Sequence, residues 1–96
     1  MASMQYDVKS VQLSADGQAI DYRVRVKAIY GVAGASVGSV KFYDGTNTSG
    51  ELLINIDTPA GTGNAFWMMV PGEGVLFRTG VYVDVTNITG VTIYYG

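Results

Sequence analysis

Read for the alternation of apolar and polar side chains, the chain predicts strands along its whole length. Period-two alternation sends successive side chains to opposite faces of a sheet. The cleanest case sets Ile20, Tyr22, Val24, Val26, Ala28 and Tyr30 on one face and Asp21, Arg23, Arg25 and Lys27 on the other. Residues 5–13 predict an earlier strand with Tyr6 and Val8 in one phase and Val11 and Leu13 in the other, a slip that a bulge near Lys9-Ser10 would produce. Further on, Val40 and Phe42 point inward against Lys41 and Tyr43, and Leu52, Ile54 and Ile56 alternate with Leu53, Asn55 and Asp57. The run Ala65 to Val70 has no polar alternation, which predicts cover on both faces, from its own domain or from a neighbouring subunit. The last third holds three short runs: Val75-Leu76-Phe77, then Val81, Val83 and Val85, then Val91, Ile93 and Tyr95.

Turn chemistry separates these runs. Asp16-Gly17 is a strong hairpin signal, and Asp44 to Gly50, Thr58 to Asn64, Pro71 to Gly74, Thr79-Gly80 and Asn87 to Gly90 carry the residues that turns demand. Gly31 to Ser39 is small and glycine-rich and predicts a loop; its Gly34-x-x-x-Gly38 spacing lacks the apolar helix that a helix-packing motif requires. No stretch holds helical periodicity. The expectation is one all-β domain over residues 1–96, an antiparallel β-sandwich of about eight strands, jelly-roll-like in one version, closing in a β-meander.

Composition adds an excess. Apolar residues make up 48% and charged residues only 15%, against about 25% charged in an ordinary soluble domain, with seven tyrosines and one tryptophan. That is more apolar and aromatic surface than one small core hides, and it favours a homo-oligomer or a broad docking surface. A net charge of −2 argues against a nucleic-acid partner, which would need a basic footprint. No apolar run approaches the roughly 20 residues of a membrane-spanning helix, and the amino terminus lacks the features of a signal peptide, so a soluble, unexported chain is expected.

Candidate chemistry is sparse. With no histidine and no cysteine, the commonest general base, the usual nucleophile pairs and most transition-metal sites are gone. The acids Asp16, Asp44 and Glu73 sit in turns, and Asp7, Asp21, Asp57 and Asp84 in the polar phase of strands. Neither placement suggests a catalytic pair, and no cofactor is expected. The oxygen-rich run Asp44 to Glu51 could ligate Ca²⁺, but its spacing reads as a hairpin loop. Arg23, Arg25 and Lys27 form a basic stripe, either a partner contact or a charged face that blunts edge pairing. Of the aromatics, Trp67, Tyr22 and Tyr30 read as core residues, while Tyr43, Tyr82 and Tyr94 lie on the polar phase as interface anchors or a sugar platform. The candidate interface set is Tyr43, Leu53, Trp67, Tyr82 and Tyr94.

The closing block resembles one in small all-β proteins of tailed phages, cyanophages among them. It is carried by Pro71, Gly72, Gly74, Val75, Phe77, Gly80, Val81, Val83, Thr86, Asn87, Val91, Ile93, Tyr95 and Gly96. A weaker similarity reaches upstream through Val40 to Gly45 and Gly50 to Leu53. The resemblance implies a virion-associated structural protein, a capsid decoration protein or a tail or fibre component, made in the host cytoplasm and then held in the virion. Its partners would be itself, with a trimer as the expected state, and another virion protein. The alternative is a carbohydrate- or receptor-binding module.

Overall fold

The computed structural model describes residues 8–61, 64–70 and 72–96. Nine strands make up its regular structure: β1 (Lys9–Leu13), β2 (Gly17–Ile20), β3 (Val24–Ala33), β4 (Gly38–Asp44), β5 (Glu51–Thr58), β6 (Ala65–Met69), β7 (Val75–Phe77), β8 (Val81–Thr86) and β9 (Ile88–Tyr95). They form two antiparallel sheets, ordered β1-β9-β3-β6 and β2-β8-β4-β5, with β7 pairing with β3 beyond the end of β6. Setting β7 aside, β1 pairs with β9, β2 with β8, β3 with β6 and β4 with β5. First strand meets last, and the nesting closes inward on a central hairpin. This is the connectivity of a jelly roll, in agreement with the expected sandwich.

The extra strand comes from one long predicted run. Alternation runs on from Ile20 to Lys27, but the chain bends at Asp21 to Arg23 and passes from one sheet to the other, so β2 and β3 are separate. Strands that switch sheets do so at such corners. The predicted meander and the Asp16-Gly17 hairpin are corrected on the same ground. The turns exist, but β1 and β2, like β7, β8 and β9, lie alternately in different sheets, and β4–β5 is the one hairpin of consecutive strands among the described residues. Only Asn87 separates β8 from β9; its φ of 53° is a left-handed value that asparagine tolerates. The predicted loop Gly31 to Ser39 is shorter than expected, because β3 runs to Ala33 and β4 starts at Gly38. Tyr6, assigned to the first strand, lies outside the described residues.

Between the sheets sits one apolar cluster built from Ile20, Val24, Val26, Ile29, Val40, Phe42, Phe77, Val81, Val83, Ile88, Val91 and Ile93. Phe42 and Phe77 are its largest fully buried side chains; each contributes about 2–3 kcal/mol by leaving water. Leu13, Phe66, Met68 and Tyr95 pack around its margin.

Candidate interaction face on the larger sheet

Strand phase decides which side chains leave the core. In β3, Val26 and Ile29 are both fully buried, because a bulge at Lys27 shifts the register between Val26 and Ala28. An extra residue in one strand flips the phase of everything after it. Ala28, Tyr30 and Val32 therefore take the outer face. In β6, Phe66 and Met68 pack on the core, which turns Ala65, Trp67 and Met69 outward. In β9, Val91 and Ile93 are buried and Thr92 and Tyr94 face out. In β1, Ser10 and Gln12 do the same opposite Tyr94 and Thr92.

These positions line up in rows across the sheet. One row reads Gln12, Thr92, Tyr30, Trp67; the next reads Ser10, Tyr94, Ala28, Met69; a third sets Val32 beside Ala65. No position in them is charged. Trp67 is the hub: its ring lies 6.3 Å from that of Tyr30, tilted by 52°, and 5.6 Å from that of Tyr94, tilted by 60°. Trp67 keeps 55% of its surface exposed, Met69 71% and Tyr30 39%. The opposite outer face, on β2-β8-β4-β5, is mixed: the row Gln18, Tyr82, Tyr43, Leu52 is uncharged, and the next, Asp84, Lys41, Asn55, carries two charges.

The residues singled out in the sequence therefore divide. Trp67 and Tyr94 come together; Tyr43 and Tyr82 pair with each other on the other side of the sandwich. Leu53 is the extra residue of a β5 bulge between the Phe42 and Tyr43 positions, and it packs on the core, leaving Leu52 exposed in its place. Tyr22, Tyr30 and Trp67, assigned to the core, are all exposed. Tyr22 sits on the sheet-switching corner beside Tyr95; the neighbouring Tyr22 hydroxyl, then burial, pushes the Tyr95 phenol above its ordinary value. Tyr30 follows the Lys27 bulge, and Trp67 is on a strand with one uncovered face. Missed from the sequence were Tyr30 and Met69 as surface residues and Ala28 as the small residue between rings. The basic stripe is broken up: Arg23 is at the corner, Arg25 half-buried in β3 and Lys27 in the bulge. β3 is an interior strand, so the stripe does not guard an edge.

The acidic residues work on the backbone. Asp44, at the end of β4, accepts the N–H of Arg78 on Oδ2 at 3.1 Å and those of Thr79 and Gly80 on Oδ1 at 2.8 and 3.4 Å. Partial burial alone would raise its carboxyl, but the N–H groups of Thr79, Arg78 and Gly80 and the Arg78 charge hold it below its ordinary value. The loop read as a Ca²⁺ candidate thus spends Asp44 on the turn before β8. Asp16 accepts the Val85 N–H at 2.8 Å. Beside it, burial and then the Asp16 carboxylate push Asp84 up, with Lys41 pulling the other way. Among the described residues no three metal-ligating side chains converge. No family model matches the chain, and neither curated proteins nor solved structures supply a match.

Proposed function

We propose that this chain is a non-enzymatic structural protein of a phage particle, a capsid decoration or tail component that works by assembly. The outer face of the β1-β9-β3-β6 sheet docks on copies of the chain and on another virion protein. One observation carries the reading: the rows around Trp67 are uncharged throughout and leave Trp67 and Met69 more than half exposed, whereas the other outer face sets its one uncharged row beside a row with Asp84 and Lys41. Burying such a face favours association by about 25 cal/mol per Å² before ordering costs. Trp and Tyr are also the residue types that dominate interface energetics. The phage setting rests on the resemblance of residues 71–96 and on analogy, since double-sheet jelly rolls include viral capsid domains as well as lectins. Fold alone does not assign function. Light scattering behind a sizing column tests the assembly. An oligomer that persists on dilution, is dispersed by Trp67→Asp and is kept by Tyr82→Asp upholds the reading; a wild-type monomer at every concentration overturns it.

A second reading, a carbohydrate-binding module, is favoured by the row that puts the Gln12 amide and the Thr92 hydroxyl beside Tyr30 and Trp67. Against it, the three rings tilt by 52° and 60° and do not make one flat platform. Glycan binding that vanishes in a folded Trp67→Ala variant would favour this reading over assembly.

A further inference from the structure

The edges of the two sheets are not alike. β1 carries Lys9; β5 carries Glu51 and Asp57 and a bulge; β2 is four residues long with a shifted register; β7 is three residues long. Charges, bulges and shortness are the devices that keep edges from pairing. β6 has none of them. Ala65-Phe66-Trp67-Met68-Met69 is uncharged, lacks glycine and proline, and keeps an unbroken register with β3.

The hydrogen-bond phase of β6 follows from its two ends. The Ala33 N–H donates to the Asn64 carbonyl at 2.7 Å, and the Val70 N–H donates to the Lys27 carbonyl at 2.9 Å. Bonded and non-bonded positions alternate along an antiparallel ladder. Asn64, Phe66, Met68 and Val70 therefore aim their main-chain groups at β3, and Ala65, Trp67 and Met69 aim theirs away. Among the described residues no strand pairs with that side.

We propose that β6 pairs antiparallel with β6 of a second copy, in a register centred on Trp67. The inference rests on the assembly reading and specifies its self-contact. In this register Trp67 meets its own copy, Ala65 faces Met69 and Phe66 faces Met68. Every outward N–H of Ala65, Trp67 and Met69 then finds a carbonyl. A small side chain sits opposite a long one, and the Phe66 ring opposite a thioether, a favourable contact. The half-buried Phe66 and Met68 carry the core across the junction, and the uncharged strand brings no like charges together, although each copy has a net charge of −2. Self-complementarity of this kind is why the occupant is a second copy. An isologous contact closes at two, so the pairing replaces the trimer expected from the sequence by a dimer whose outer sheet faces form one aromatic surface.

The test uses the whole chain. Proline is tolerated at the first residue of an edge strand whose N–H faces out, so Ala65→Pro removes a bond that only the dimer makes. Light scattering should give a dimer for the wild type, a monomer for Ala65→Pro and a dimer for Tyr82→Asp, whose charge lies on the outer face of the other sheet. Because the chain has no cysteine, a double variant Ala65→Cys/Met69→Cys should oxidise to a covalent dimer while neither single variant links. Within one strand these positions are about 13 Å apart, beyond the reach of a disulfide. The cysteine result decides the matter where Ala65→Pro fails to fold. A dimeric Ala65→Pro with a monomeric Tyr94→Asp overturns the edge pairing and leaves face-driven assembly standing; a monomeric wild type overturns both. Linking by the single Ala65→Cys variant overturns the register.

Discussion

The rings of Trp67 and Tyr94 meet edge to face at 5.6 Å although β3 runs between their strands. The residue between them is Ala28, in the row of Tyr94, and its methyl group leaves room for the two rings to close over it. Ala28 is only 7% exposed although it points outward. The face is thus organised by a small residue as much as by large ones.

Such an aromatic pair is worth about 0.5–1.5 kcal/mol beyond the area it buries. A double-mutant cycle on Trp67→Ala and Tyr94→Ala should return a coupling energy in that range. The denaturation must be run where the chain has one oligomeric state. Coupling near zero would mean that the rings touch without holding each other.

Asp44 joins β4 to a turn more than thirty residues later, through the N–H groups of Arg78, Thr79 and Gly80. Its carboxyl titrates below 3.8 in the folded chain. A lowered acid stabilises the fold fully above its unfolded value and loses that contribution as pH falls through the folded one. Asp44→Ala should therefore cost about 1–2 kcal/mol near neutral pH, a figure reduced for partial exposure. The gap to wild type should close below pH 3.8. Urea midpoints across pH 7 to 3 check this, and a gap independent of pH would contradict the clamp.

How far the sequence could be read depended on what each local feature encodes. Alternation marked the inward residues wherever a strand kept one phase: Val40, Phe42, Val81, Val83, Val91 and Ile93 are all buried. It failed at Lys27 and Leu53, because a bulge inserts a residue without any change of composition. It also failed at Asp21 to Arg23, where a corner leaves alternation running. Turn residues located the turns but not the sheet that the next strand joins, since that depends on pairing with strands distant in sequence. For the same reason Trp67 and Tyr94 were legible as candidate contacts, whereas their separation from Tyr43 and Tyr82 was not.

The spacing Gly34-x-x-x-Gly38, which suits no helix here, has a different use. The connection between β3 and β4 folds over the crossing from β8 to β9. The Gly34 N–H donates to the Asn87 carbonyl at 2.9 Å, and the Asn87 side-chain amide donates to the Val37 carbonyl at 3.0 Å. A Cβ on Gly34 would lie 2.5 Å from the Asn87 carbonyl oxygen, and one on Gly38 would collide with the Thr86 carbonyl oxygen. Backbone atoms yield less readily than side chains. Gly38→Ala should cost about 2–3 kcal/mol, at the upper end for inserted bulk. The expected signature is a lower urea midpoint with an unchanged slope.

Asp84 responds to pH in the opposite sense from Asp44. Burial and the neighbouring Asp16 carboxylate raise its carboxyl above 3.8 in the folded chain. Between 3.8 and the raised value the folded state binds more protons than the unfolded one, so stability falls as pH rises through that window. Above it the repulsion is present in full. Asp84→Asn removes the charge and keeps a side chain able to donate to Asp16, which remains the acceptor for the Val85 N–H. The variant should exceed wild type by a few tenths to about 1 kcal/mol at pH 7, the low end reflecting solvent screening. The gain should fade as pH approaches 3.8. Paired urea titrations at pH 7 and pH 4 decide it. A variant no more stable at pH 7 would mean that Lys41, opposite Asp84 on β4, already offsets the second carboxylate.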